Sequence, residues 1–177
     1  MDFDKLSLDY QQVNAYWRTL AEIRFKLLAI VPTLTGIGVT FLAEKHTPET
    51  ETTVGLLGLL ATLGLTFYDQ RNTQHYNDAV KRAKRLEGQL GLSGGIFSDR
   101  PHRSLKLFGL VLMYHDRALC LVYASALGAW SYVVISAILR MFKYQSPVLS
   151  VVFAVTLGIL FYIDLIAKDE DVDQVVS

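Results

Sequence analysis

Hydrophobic and polar positions separate into long blocks along this chain. Apolar residues fill 24–43, 52–68, 118–139 and 144–165, each near the roughly 20 residues that a helix needs to cross the hydrocarbon core of a bilayer. No Asp, Glu, Lys or Arg falls between Lys26 and Glu44, between Glu51 and Asp69, or between Arg117 and Arg140. Hydrocarbon supplies no water to backbone amides, so each block is predicted to be a helix that closes its hydrogen bonds internally.

Outside these blocks the period is also helical. Leu6, Tyr10, Val13, Trp17 and Leu20 recur at steps of four and three, with Asp9, Gln11, Gln12, Asn14, Arg18 and Glu22 between them, so 1–23 reads as an amphipathic helix with a narrow apolar seam. Ala21 to Leu28 contains no Gly or Pro, which lets that helix run into the first span. After the second span the helical pattern continues, with Tyr76, Ala79, Val80, Ala83, Leu86 and Leu90 forming a second stripe. Gly91 and then Ser93-Gly94-Gly95 supply the conformations that stop it. The two stripes are expected to pair as a small helical layer. Leu105 to Tyr114 is apolar but too short to span, and is expected at the interface or within that layer. Residues 69–117 therefore read as a helical region between membrane hairpins, and 166–177, with Asp169, Glu170, Asp171 and Asp173, as an acidic tail. The expected fold is all-α: one integral membrane domain with four transmembrane helices plus cytosolic amphipathic helices.

Charge sets the expected orientation. The chain is neutral overall, but 69–117 carries nine Lys or Arg against five Asp or Glu. Basic loops stay inside, which places both termini and the central region in the cytoplasm of a bacterial cell, with a multi-pass protein in its inner membrane. The opening Met-Asp-Phe-Asp has acids where a secretory signal carries basic residues, so no cleaved signal is expected. Cys120 is the one cysteine and excludes an intrachain disulfide; within the third span it reads as a small apolar filler.

Catalysis has no positive support in the sequence. His46, His75, His102 and His115 are far apart and form no metal-ligand spacing, and neither a nucleophile-elbow nor a phosphate-cradling motif is present. No enzyme activity, metal or cofactor is expected.

Two other groups of residues invite a functional reading. On the first span Thr33, Gly36 and Thr40 share a face near Pro32, and Thr62 and Thr66 repeat the theme on the second. Such faces line water or pack closely on another helix. Asp164 is the deepest acid; it reads either as a gating group at a pore mouth or as an i,i+4 partner of Lys168. Small residues at four-residue steps, Ala124 and Gly128 in the third span and Ala154 and Gly158 in the fourth, predict close helix contact. The second group is basic: Lys81, Arg82, Lys84 and Arg85, followed by Arg100 and Arg103, with Tyr76 and Phe97 as rings for stacking. Three interpretations share these residues, namely membrane topology, binding of anionic lipid, and binding of a nucleotide or oligonucleotide.

The stretch Tyr16-Trp17-Arg18-Thr19-Leu20-Ala21-Glu22-Ile23-Arg24, with Tyr68-Asp69-Gln70-Arg71-Asn72 at the exit from the second span, resembles small bacterial membrane effectors of antiphage defence, the Hailong-type effector and the SLATT-like group. SLATT-like proteins usually have two spans rather than four. The resemblance implies a homo-oligomer that passes ions when a nucleotide signal, made by a partner nucleotidyltransferase, changes. The residues taken alone give the same leading expectation, a homo-oligomeric ion channel controlled through its basic cytosolic region. The alternative is a non-conducting membrane scaffold or accessory subunit that binds a cytosolic partner.

Overall fold

The computed structural model describes residues 3–42, 44, 46–92, 94–99, 105–107, 110–113, 115–144 and 146–174, with the side chains of 101–116 and 168–174 outside the description. The architecture is all-α and built on four helices, α1 (Phe3–Leu42), α2 (Pro48–Leu90), α3 (His115–Met141) and α4 (Pro147–Gln174). Each is long and apolar enough to cross a membrane.

The first two helices are twice the length a bilayer needs. At 1.5 Å per residue, the 40 residues of α1 and the 43 of α2 extend about 60 Å, against a hydrocarbon core of about 30 Å. Each therefore has an apolar half within the helical bundle and a polar half that projects from it. The polar halves, 3–23 and 69–90, form an antiparallel stalk.

Local sequence sets the helix ends. Thr47 caps α2 by accepting a hydrogen bond from the Thr50 N–H at 3.4 Å, Pro48 occupies the first turn where its missing N–H costs nothing, and Glu49 and Glu51 favour the positive end of the helix dipole. Gly91 ends the helix in the left-handed region at φ 67°, as its position after the last apolar residue predicts.

One seam joins stalk and bundle. Leu6, Val13, Leu20 and Leu27 are buried at steps of seven along α1; Thr62, Asp69, Tyr76 and Ala83 are buried at the same step along α2. A sustained seven-residue repeat is the register of a left-handed coiled coil. The stalk core consists of Leu6, Val13, Leu20, Tyr76, Ala79, Ala83 and Leu86, joined by Phe97, which folds back from the turn after α2 onto Tyr10 and Trp17. This is the pairing of stripes that the sequence predicts.

In the bundle, α3 packs against both α2 and α4 and touches α1 less extensively. Its Trp130 indole lies against Gly38 of α1 and Gly58 of α2. The α3 and α4 backbones meet at Gly128 and Gly158, where a Cβ on Gly158 would lie 3.5 Å from Ala124 O, so the predicted small-residue contact is present. Much of the remaining surface is apolar and open: Ile37, Leu57 and Val148 are 64%, 63% and 73% exposed. Apolar exposure on this scale suits lipid and not water.

Three expectations change. Leu105–Leu107 and Leu110–Met113 pair as two short antiparallel strands, in place of continued helix. The last span begins at Pro147, not at 144, because Lys143 adopts φ 60° in the preceding turn and Pro favours a helix start. Finally, α4 continues to Gln174, so the backbone of the acidic segment is helical over most of its length.

Candidate functional site

The hydroxyl-bearing residues of the spans fall into two environments. Thr62 and Thr66, 1% and 3% exposed, lie inside the helical bundle, and each hydroxyl donates to the carbonyl one turn earlier, Gly58 O and Thr62 O, at 2.8 Å. Thr33 and Thr40 lie on the open surface of α1 and satisfy themselves the same way, to Ala29 O at 2.8 Å and Gly36 O at 2.9 Å. Gly36 shares this open face, with no neighbouring atom within 4 Å of a Cβ built on it. The structure thus separates the predicted lining residues: Thr33, Gly36 and Thr40 face outward together, whereas Thr62 and Thr66 are core. Asp164 is exposed in the second half of α4; the side chain of Lys168, its predicted partner, lies outside the described residues.

The predicted anionic-ligand set is divided too. Arg82 reaches across the stalk and donates to both carboxylate oxygens of Asp9, at 2.7 and 2.8 Å, and Lys81 lies 4.0 Å from Asp78. Lys84 and Arg85 are exposed. The side chains of Arg100 and Arg103 lie outside the described residues. Tyr76 offers no open ring face: it is in the seam, tilted against Trp17 at 5.7 Å between centroids, with the Arg24 guanidinium 5.5 Å from its centre. Phe97 is 1% exposed and meets Trp17 edge-on at 5.3 Å. Both rings serve stalk packing, which corrects the expectation that they stack a base.

Sequence reasoning missed three charged features. Glu87 has no accessible surface; it accepts from Tyr10 Oη at 2.9 Å, Phe97 N at 3.1 Å, Ser98 N at 2.8 Å and Ser98 Oγ at 2.6 Å. Burial pushes its pKa up, but the bonds from Ser98, Phe97 and Tyr10 outweigh that and hold the carboxyl below its ordinary value. Burial first, and then the bond to Glu87, raise the Tyr10 phenol. Gly95 passes so close to this carboxylate that a Cβ there would collide with it.

The second feature lies where stalk meets bundle. Arg24 Nε is 3.7 Å from Asp69 Oδ1, with the side chains 11% and 9% exposed, and Tyr123 of α3 adjoins the pair. Asn72 Nδ2 donates to Leu20 O at 3.1 Å beside it. A polar layer thus interrupts the apolar seam. The third is an ion pair at the opposite end of the bundle, where Arg140 of α3 grips the carboxylate of Glu51, the Nη1 contact measuring 3.2 Å. A signal for the second was legible: Arg24 and Asp69 occupy seam positions in the seven-residue repeat, where an apolar residue is the rule.

Comparison with protein-family models, with curated proteins and with solved structures finds no match to this chain.

Proposed function

We propose that the chain is a multi-pass protein of a bacterial inner membrane, with both termini and the stalk in the cytoplasm, that assembles into a homo-oligomeric ion channel. The observation that carries this reading is the continuity of α1. One unbroken helix bears the stalk seam from Leu6 to Leu20 and, further along, the open Thr33, Gly36 and Thr40 face. The interior of one protomer is filled by Val31, Leu127 and Trp130, so conduction requires several copies arranged around an axis. Facing that axis, the threonine face supplies a polar strip whose hydroxyls already satisfy themselves within the helix.

In this assembly the stalk is the control element. Displacing its polar half moves the lining half of the same helix, since the seven-residue register crosses the boundary without a break. Lys84 and Arg85 are exposed members of the basic set and would meet an anionic signal of the nucleotide or oligonucleotide class. The resemblance to antiphage-defence effectors supplies the setting, in which ion passage arrests the cell.

Ion flux into vesicles reconstituted with purified protein, measured with and without nucleotides, tests the reading. Flux that responds to a nucleotide and changes in the Lys84→Glu, Arg85→Glu variant supports it. Stable oligomers that leave vesicles tight under every condition reject it.

A second reading, a non-conducting scaffold, is favoured by one observation: both candidate stacking rings are buried, and Arg82 Nη2 is held by Asp9. It predicts a partner protein on the stalk and no flux.

A further inference from the structure

At the end of the bundle away from the stalk, α3 and α4 leave a crevice between them. Their backbones touch at Gly128, where a Cβ would meet Ala154 O at 3.3 Å. Helices that cross diverge on either side of their contact. Beyond this one, the crevice is lined by Tyr132 and Ser136 from α3 and by Ser146 and Ser150 from the start of α4. The serines are too small to refill the gap, which has a volume of about 500 Å³, within the range of small-ligand sites. Glu51 and Arg140 complete its polar wall.

The wall presents both signs of hydrogen-bonding group. Ser136 and Ser150 donate their hydroxyls to Val133 O and Ser146 O, which leaves oxygen lone pairs as acceptors beside the Glu51 carboxylate. Arg140 spends Nε on Ser136 O and one N–H of each terminal nitrogen on Glu51, which leaves the rest of its donor fork. Ser146 Oγ accepts from Leu149 N and keeps its own O–H to donate. Glu51 cancels the charge of Arg140, so the wall has no net preference for an anion. The rest of the crevice lining is apolar, from Leu42, Val133, Leu139 and Pro147.

We infer that this crevice holds the headgroup of an aminophospholipid. The phosphate takes the remaining donors of Arg140 and Ser146, the ammonium donates to Glu51 and to the serine lone pairs, and the acyl chains leave over the apolar part of the lining, Leu42, Val133, Leu139 and Pro147. Choline carries no N–H for those acceptors, and an anionic headgroup without an amine leaves them unanswered. The inference rests on reading α1–α4 as membrane spans and is independent of conduction.

Purified, delipidated protein is incubated in detergent with phosphatidylethanolamine, phosphatidylcholine or phosphatidylglycerol, and retained lipid is counted by native mass spectrometry. The expected result is one phosphatidylethanolamine per protomer, preferred by about tenfold or more, the scale of one charge-assisted hydrogen bond. Ser136→Leu fills the crevice and is expected to abolish the preference; Ser146→Val, at a half-buried site, does the same should Ser136→Leu fail to fold. Equal retention of the three lipids, or unchanged preference in Ser146→Val, overturns the inference. So does soluble phosphoethanolamine that stabilises the lipid-free protein as well as the lipid does, since the source is then in solution. A chain that remains dispersed without detergent rejects the membrane reading itself.

Discussion

Tyr10 and Glu87, 77 positions apart in the chain, are joined by a hydrogen bond of 2.9 Å from phenol to carboxylate. The same carboxylate also holds the Phe97 and Ser98 amides and the Ser98 hydroxyl, so one side chain ties both stalk helices to the turn that closes them. Glu87→Gln keeps the shape but presents an NH2 group to buried donors. It is expected to destabilise the stalk by about 2–3 kcal/mol, and Tyr10→Phe by about 1 kcal/mol. Hydrogen exchange localises the effect: residues 94–99 exchange faster in Glu87→Gln, while the amides of α3 keep their protection.

The lowered pKa of Glu87 makes this closure acid-sensitive. The folded carboxyl holds its charge to lower pH than the unfolded one, near 4.3, so the contribution is complete above about pH 4.3 and disappears as pH falls through the folded value. Fluorescence of Trp17, which touches Phe97, follows the loss in a Trp130→Phe background. The transition below pH 4.3 is expected to vanish in Glu87→Gln. At the alkaline end, the raised Tyr10 phenol adds stability below about pH 10 that disappears as pH rises through its folded value.

Trp130 occupies the space that side chains at Gly38 and Gly58 would take. Gly58→Val has no room, and overpacking of this kind costs about 1–3 kcal/mol or displaces the indole altogether. Loss of monodisperse protein on size exclusion in detergent is the expected outcome. Combining it with Trp130→Leu restores much of the loss, because the two changes share one space and are not additive.

Arg24 and Asp69 test whether the polar layer in the seam is a structural pair. Removing one partner leaves a buried charge uncompensated, at a cost of about 3–5 kcal/mol, whereas replacing both with apolar residues of similar volume is near neutral. Thermal unfolding in detergent is expected to fall for Arg24→Met and for Asp69→Leu, and to recover in the double variant. If the pair also sets stalk position, the double variant retains stability but alters flux.

Much of this architecture is legible in the sequence because lipid and heptad seams impose strict periods. The charge-free blocks give the apolar helices, and the Leu6 to Leu20 and Tyr76 to Leu90 stripes give the stalk pairing. Gly91 gives its end. Illegible features depend on contacts between distant segments. Nothing local marks Glu87 as buried, since it becomes so only when Gly95 to Ser98 folds back onto it. Likewise Arg82 reads as a free cation until Asp9 is placed opposite it. The candidate lining residues share one composition, and only tertiary packing separates the buried Thr62 from the exposed Thr33.

That separation yields the most direct test of the channel. In a Cys120→Ala background, cysteines replace Thr33, Thr40 and Thr62 one at a time, and a membrane-impermeant thiol reagent is applied to vesicles during flux. Thr33→Cys and Thr40→Cys on the open α1 face are expected to react and block conduction, because a thiol ionises and is attacked only where water reaches it. Thr62→Cys, enclosed at 1% exposure, is expected to stay unmodified. Modification of Thr62→Cys with Thr33→Cys inert reverses the assignment and places the water path inside the protomer. Inertness at all three positions leaves α1 facing lipid and removes the threonine strip from any account of ion passage.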